Sequence, residues 1–183
     1  MSNVANLTAE FERQSSTQEV SDQAKVYAAR LRLQNALDQA DALDAIREIA
    51  GNLIGTEEVA VFKVDKKLSK LWLYWSCGID PNKHAVLEVR REPKLKQVLK
   101  GKAVFRPKMP KGNLLSTDDP VSALVPILVN GSPVGVIVLF RLFPHKPGIE
   151  TVDREICEVL SNCAGRAIEP YHALTQERLE NES

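Results

Sequence analysis

Residues 121–142 constrain this chain more than any other stretch. They read Val-Ser-Ala-Leu-Val-Pro-Ile-Leu-Val, then Asn130-Gly131-Ser132-Pro133, then Val-Gly-Val-Ile-Val-Leu-Phe-Arg-Leu. Two apolar runs rich in β-branched residues flank an Asn-Gly pair, and that pair tolerates the positive φ of a tight hairpin turn. Pro133 has no N–H for the ladder, so it belongs at the start of the second strand. Neither run alternates with charge, so both faces of the hairpin are expected to be covered and the hairpin to sit centrally in a sheet.

The remaining elements are placed around this hairpin. Residues 1–15 carry no start signal and are expected to be irregular. Ser16-Thr17-Gln18-Glu19 has the Ser-x-x-Glu form of a capping box. Val20, Ala24, Tyr27 and Leu31 then recur as one stripe of a helix. Leu33, Leu37, Ala40, Leu43, Ile46, Ile49 and Leu53 continue an apolar face in a changed phase. This predicts one long helix, or two with a bend near residues 38–41, stopping at Gly51 or Gly55. Strands are expected over 58–65 and 68–77, with Leu71, Leu73 and Trp75 on one face and Trp72 and Tyr74 on the other. Ala85, Val86, Leu87 and Val89 suggest a short third strand. Residues 93–101 read as a short helix entered through Pro93, stopped by Gly101 and buried through Leu95, Val98 and Leu99. Ala103, Val104 and Phe105 form a brief strand, and 106–119 a polar loop. From Thr151 to Ile168 the apolar positions Val152, Ile156, Val159, Leu160, Cys163, Ala164 and Ala167 define a last amphipathic helix. The domain organisation expected is an irregular start (1–15), a helical extension (16–40), an α+β domain with an antiparallel sheet (41–170) and a polar tail (171–183).

Charge and cysteine usage narrow the function classes. The 24 cations and 24 anions cancel, yet residues 83–111 hold ten cations and two anions, a net of +8. Such a segment can attract a small anionic ligand or an acidic partner. Its cations are spread over strand, helix and loop with few aromatics between them, which argues against nucleic acid. Three cysteines without clustered spacing (Cys77, Cys157, Cys163) suggest free thiols in a reducing compartment. With neither a secretory leader nor an apolar run near the roughly 18 residues of a membrane span, a cytoplasmic location is expected.

In this order of elements the chain resembles a GAF domain, the sensing module of many bacterial regulators. The resemblance rests on Pro-Lys-Leu-Lys-Gln-Val-Leu-Lys-Gly-Lys-Ala-Val-Phe from Pro93, Val-Ser-Ala-Leu-Val-Pro-Ile from Val121, the 130–139 turn and strand, and the closing helix. It implies a central antiparallel β-sheet, with the N- and C-terminal helices packed on one face and a variable loop and short-helix region on the other. It further implies a ligand pocket in that region, for which Trp72, Tyr74, His84, Arg90, Lys94 and Arg106 are the candidates, and a homodimer through the terminal helices, with Val20, Ala24, Tyr27, Leu31, Val152 and Ile156 at the interface. The family's cyclic-nucleotide signature is incomplete: Asn82-Lys83 is present, but no Phe-x-x-x-Asp-Glu follows. His84 has no cysteine near it in sequence, as bilin-binding members require. Of the three thiols only Cys77 is expected near the pocket, with Cys163 in the core and Cys157 at the surface or an edge.

No catalytic set emerges. His84, His145 and His172 have no carboxylate or thiol at catalytic spacing, and Asp118-Asp119 reads as loop solvation rather than a metal pair. The function expected is a non-enzymatic regulatory protein that dimerises and binds a small anionic ligand or a partner protein, the latter through its N-terminal helix; the cofactor, if any, is open. The alternatives are a thiol-dependent redox enzyme of the free methionine sulfoxide reductase kind and a ligand-free scaffold.

Overall fold

The computed structural model describes residues 2–106 and 120–168, with side chains from Arg13 onward. Of the loop expected over 106–119 all but Arg106 lies outside the described residues, as does the tail expected over 171–183.

Helix α1 (Ser2–Gln34) runs for 33 residues, about 50 Å at 1.5 Å per residue. It begins at Ser2, so residues 2–15 of the irregular start expected over 1–15 are helical. Ser16 and Glu19 lie inside it, so no helix starts there. No Gly or Pro occurs before Asp38, and extending a nucleated helix costs little. The chain breaks at Asn35–Leu37. Asp38 then caps α2 (Gln39–Ile49), accepting from the Asp41 N–H at 2.8 Å. A wider turn, Ala50–Ile54, follows and ends at Gly55 with φ +97°.

Six strands follow: β1 (Val59–Val64), β2 (Lys70–Cys77), β3 (Val86–Glu88), β4 (Val104–Phe105), β5 (Ala123–Val129) and β6 (Ser132–Leu139), with a short helix α3 (Pro93–Val98) between β3 and β4. They form one sheet in the order β3-β2-β1-β6-β5-β4, and every pairing is antiparallel. The hairpin β5–β6 turns at Asn130 and Gly131, with φ of 50° and 78°, and β6 lies inside the sheet. Helix α4 (Thr151–Cys163), extended by the tight turn Ala164–Ala167, closes the fold.

Strand alternation makes two cores. On the helix side, Val59, Val61, Val125, Ile127, Ile137 and Leu139 meet Ala29 and Leu33 of α1, Ile46 and Ile49 of α2, and Ile156 and Leu160 of α4. On the far side, Ala60, Phe62, Leu71, Leu124, Val136 and Val138 meet Val89, Leu95, Val98 and Phe140. The terminal helices α1 and α4 pack on each other over one face, as expected for an α+β chain of this kind. Ala29, Leu33 and Ala36 are buried in the same core as α2 and α4. The end of α1 therefore belongs to the domain rather than to a separate extension. Arg32 braces this junction: its guanidinium donates to Glu48 at 2.7 Å and to Asp41 at 2.8 Å. Those bonds hold both carboxyls below the usual carboxylate range.

One strand departs from simple alternation. Val61 pairs with Trp75 but Phe62 pairs with Leu73, so Tyr74 is an extra residue in β2. This β-bulge turns the strand over. Leu71 and Leu73 face the far core, whereas Trp75 and Cys77 pack against the helix-side core. The expected common face of Leu71, Leu73 and Trp75 is thus split.

Candidate functional site

The far face is a filled surface over its described residues. Phe62, Leu71, Leu95, Val98 and Leu124 are fully buried there, and His84 is buried with its ring 5.1 Å from that of Phe140. The segment that covers this face crosses the sheet from one edge to the other, because β3 and β4 are the two outermost strands. Helix α3 rides on that crossing. Glu92 caps it, accepting from the Lys94 N–H at 3.1 Å, and Pro93 occupies the first turn, where no N–H is needed. Burial of Leu95, Val98 and Leu99 leaves Lys96 and Lys100 exposed and Lys94 half-buried.

The cations on the described residues lie in a stripe along this crossing. Arg90 and Arg91, exposed beside β3, share Glu88 at 3.0 and 2.8 Å, and this holds the Glu88 carboxyl below its ordinary range. One carboxylate for two guanidiniums leaves a net positive charge. Arg106 follows β4 at the opposite edge, where its N–H donates to Ser122 O at 2.9 Å. Five strand spacings separate the two edges, about 24 Å at 4.8 Å each. Arg90 stands beside the β3 edge and Arg106 beside the β4 edge, with Lys94 on the crossing between them.

The structure also divides the candidate ligand residues. His84 and Lys94 belong to the far face. Trp72 pairs with Lys63 and Val86 and points to the helix side. Tyr74, in the bulge, lies under Lys63 Nζ, 3.8 Å from the ring centre. These two aromatics do not join His84. Their burial partners are set by β2's bulge and edge position, which spacing along the chain does not display.

The candidate interface residues divide in the same way. Val152 and Ile156 are spent inside the protomer, at 7% and 0% exposure, so they cannot meet a second chain. In α1 the stripe that packs inward is Val26, Ala29 and Leu33. The stripe predicted from sequence faces out, with Val20 at 67%, Tyr27 at 65% and Leu31 at 43% exposure.

All three thiols are free. Cys157, expected at the surface, is fully buried; that burial, helped by the Asp153 carboxylate one turn away, pushes its thiol up to about 12. Cys163, expected in the core, is half-buried against it. Cys77 packs on the helix-side core, away from the far face where a pocket was expected. Among the described residues no three His, Cys, Asp or Glu side chains cluster as a metal set, and no helix is long and apolar enough to cross a membrane.

No protein-family model matches the chain, and no curated protein sequence does. Solved structures do match. The GAF domain of an Acinetobacter phosphoenolpyruvate-protein phosphotransferase superposes with a TM-score of 0.60 at 12% identity, over 85% of this chain and 98% of that one. The A. aeolicus nlh2 GAF domain in an inactive state gives 0.60 at 17%, over 80% and 94%. Residues 122 to 287 of a methyl-accepting chemotaxis protein give 0.52 at 16%, over 83% and 98%. At such identities the likeness is one of fold, and it agrees with the sheet order and helix placement found here. This chain has the GAF-like fold.

Proposed function

We propose that this chain is a cytoplasmic regulatory module without catalytic activity, which pairs with a second copy through α1 and presents its basic stripe to an acidic partner protein. The observation that carries the reading is that α1 has two apolar stripes and the domain uses only one. Val26, Ala29 and Leu33 are consumed by α2 and α4, and Val20, Ala24, Tyr27 and Leu31 remain exposed at helical spacing. Exposed apolar residues that recur along one helix face mark an interaction seam rather than scattered surface. A solved domain of the same fold comes from a methyl-accepting chemotaxis protein, which supports a signalling role. Burial of Cys157 and the placement of Cys77 on the helix side weigh against a thiol enzyme acting at the far face. The spread of Arg90, Lys94 and Arg106 along the sheet favours an extended acidic surface over a compact ligand.

Two measurements test this. Tyr27→Glu with Leu31→Glu places two carboxylates in the seam without touching a buried side chain. The parent chain is expected to show twice the protomer mass in solution, and the double variant a dimer dissociation constant raised about 100-fold, equivalent to roughly 2.7 kcal/mol. An unchanged mass would remove α1 from the interface. The stripe is probed with a twelve-residue polyglutamate peptide and, separately, with pyrophosphate. The peptide is expected to bind at low salt and to weaken steeply as ionic strength passes 0.15 M, where the screening length is about 8 Å. Lys96→Glu with Lys100→Glu should abolish this binding. Tight pyrophosphate binding without peptide binding would instead establish the small-ligand reading.

A further inference from the structure

Strand β3 is outermost in the sheet, and among the described residues no strand pairs with its outer side. Leu73 N–H donates to Ala85 O and Val89 N–H to Ser69 O, both at 3.0 Å. Bonded and non-bonded pairs alternate along an antiparallel ladder. Ala85 with Leu73, Leu87 with Leu71 and Val89 with Ser69 are therefore the bonded pairs, and the N–H and C=O groups of Val86 and Glu88 point away from β2. An apolar shelf lies beside this edge on the helix-side face. Trp72 pairs with Val86 and is 50% exposed; Val86 is 39% and Tyr74 37% exposed. Two aromatic rings and a valine on one patch of sheet mark an interaction surface. At the opposite edge the Phe105 ring already carries Arg154 over it, 4.5 Å from the ring centre. The shelf's surroundings are basic. Lys63 Nζ lies over Tyr74, Lys70 Nζ sits 5.9 Å from the Trp72 ring centre, and Lys66 and Lys67 are exposed in the adjoining turn. The nearby carboxylates are engaged: Asp65 accepts from the Ser69 hydroxyl and from the Lys70 N–H, and Glu88 from Arg90 and Arg91.

We propose that the β3 edge binds an extended acidic segment of a partner protein, which joins the sheet as an added strand. Its backbone pairs with Val86 and Glu88, an apolar side chain rests on Trp72 and Val86, and flanking carboxylates meet Lys63 and Lys70. In strand addition the main-chain bonds supply affinity, and the side chains beside the edge choose the partner. β3 has three residues, and so short an edge recruits strands poorly on pairing alone. Selection therefore falls to the Trp72 shelf and the lysines around it. The outward N–H and C=O groups favour a polypeptide over a nucleic acid strand, and Lys63 already occupies a face of the Tyr74 ring on which a base would stack. The site lies on the helix-side face, away from Lys96 and Lys100 of α3, and rests on neither the α1 pairing nor the basic stripe.

The probe is a fluorescein-labelled peptide, Glu-Glu-Val-Tyr-Val-Glu-Glu, titrated with the full chain at physiological ionic strength and followed by anisotropy. Saturable binding is expected. Glu88→Gln and Glu88→Pro separate strand pairing from charge, since both remove the same carboxylate. Proline also removes the outward Glu88 N–H, at a position whose φ of −92° lies near proline's own range. Glu88→Gln is expected to bind at least as tightly as the parent, and Glu88→Pro about tenfold more weakly, the loss of one backbone hydrogen bond. Trp72→Ala should weaken binding about 30-fold, as loss of an aromatic anchor does. Lys96→Glu with Lys100→Glu should leave this affinity unchanged, so failure of the stripe reading and failure of this one are told apart. Circular dichroism verifies that each variant is folded. In the unaltered chain, N-methylation of alternate peptide amides tests the same pairing, and one of the two methylation patterns should abolish binding. Absence of binding, equal affinities of Glu88→Pro and Glu88→Gln, or indifference to both methylation patterns overturns the proposal. So does a twelve-nucleotide oligothymidylate that binds in the peptide's stead and is lost in Trp72→Ala, which would assign the shelf to single-stranded nucleic acid.

Discussion

Asp153→Ala is expected to destabilise the domain by about 3–5 kcal/mol, the range for a buried ion pair that loses one partner. Asp153 is fully buried and Lys146 nearly so, and they meet at 2.7 Å. The same carboxylate accepts from the Glu150 N–H at 2.7 Å, while the Glu150 side chain accepts from the Asp153 N–H, a reciprocal cap on α4. Alanine therefore leaves the largely buried Lys146 without its counter-charge and frees the first turn of the helix. The effect reaches further than α4. Lys146 belongs to the loop after β6, which is tied to the end of the α2 segment by Phe143 N–H donating to Gly55 O at 2.8 Å. Chemical denaturation followed by circular dichroism measures the loss. Lys146→Met combined with Asp153→Ala removes the stranded charge, so the double variant should be more stable than Asp153→Ala alone. If the two substitutions simply add, the ion pair is not what holds the loop to α4.

That ion pair also explains why the position of Cys157 was hidden in the sequence. A helix packed on one face of a sheet buries one stripe, and Cys157 lies beside the stripe of Val152, Ile156, Val159 and Leu160 rather than on it. The loop pinned by Lys146 covers the adjacent flank, so α4 is enclosed more widely than its periodicity implies. Local chemistry was legible at the Asn130-Gly131 turn and the Pro93 helix start, which depend on residues within a few positions of each other and formed where those residues stand. It misled at Ser16–Glu19, a capping-box pattern that lies inside a helix begun earlier, and the Asp38 cap was missed. What depends on pairing across strands was not legible. The bulge at Tyr74 exists because β2 and β1 run out of register, and it moved Trp75 and Cys77 to the helix side. Arg90, Lys94 and Arg106 are neighbours along the chain but are strung between opposite edges of the sheet, because the sheet order puts β3 and β4 outermost. The outward stripe of α1 was legible from its spacing; that Val152 and Ile156 are turned into the core followed only from seeing α4 enclosed.

Gly135→Val is expected to cost about 3 kcal/mol, at the upper end of what overpacking a close-packed interior usually costs. A Cβ at this position would lie 2.5 Å from the Phe62 carbonyl oxygen, and Ile168 Cδ1 already occupies the space beyond. The backbone oxygen belongs to the β1–β6 ladder and has no room to retreat, so only part of the clash is relieved by moving Ile168. Adding Ile168→Ala should therefore recover a minority of the loss. Gly131→Ala provides the contrast. Nothing lies within 4 Å of its Cβ, and its φ of +78° is the only obstacle, so a left-handed residue penalty of about 1–2 kcal/mol is expected there. If Gly135→Val proves no worse than Gly131→Ala, the sheet and the end of α4 are not in the close contact described.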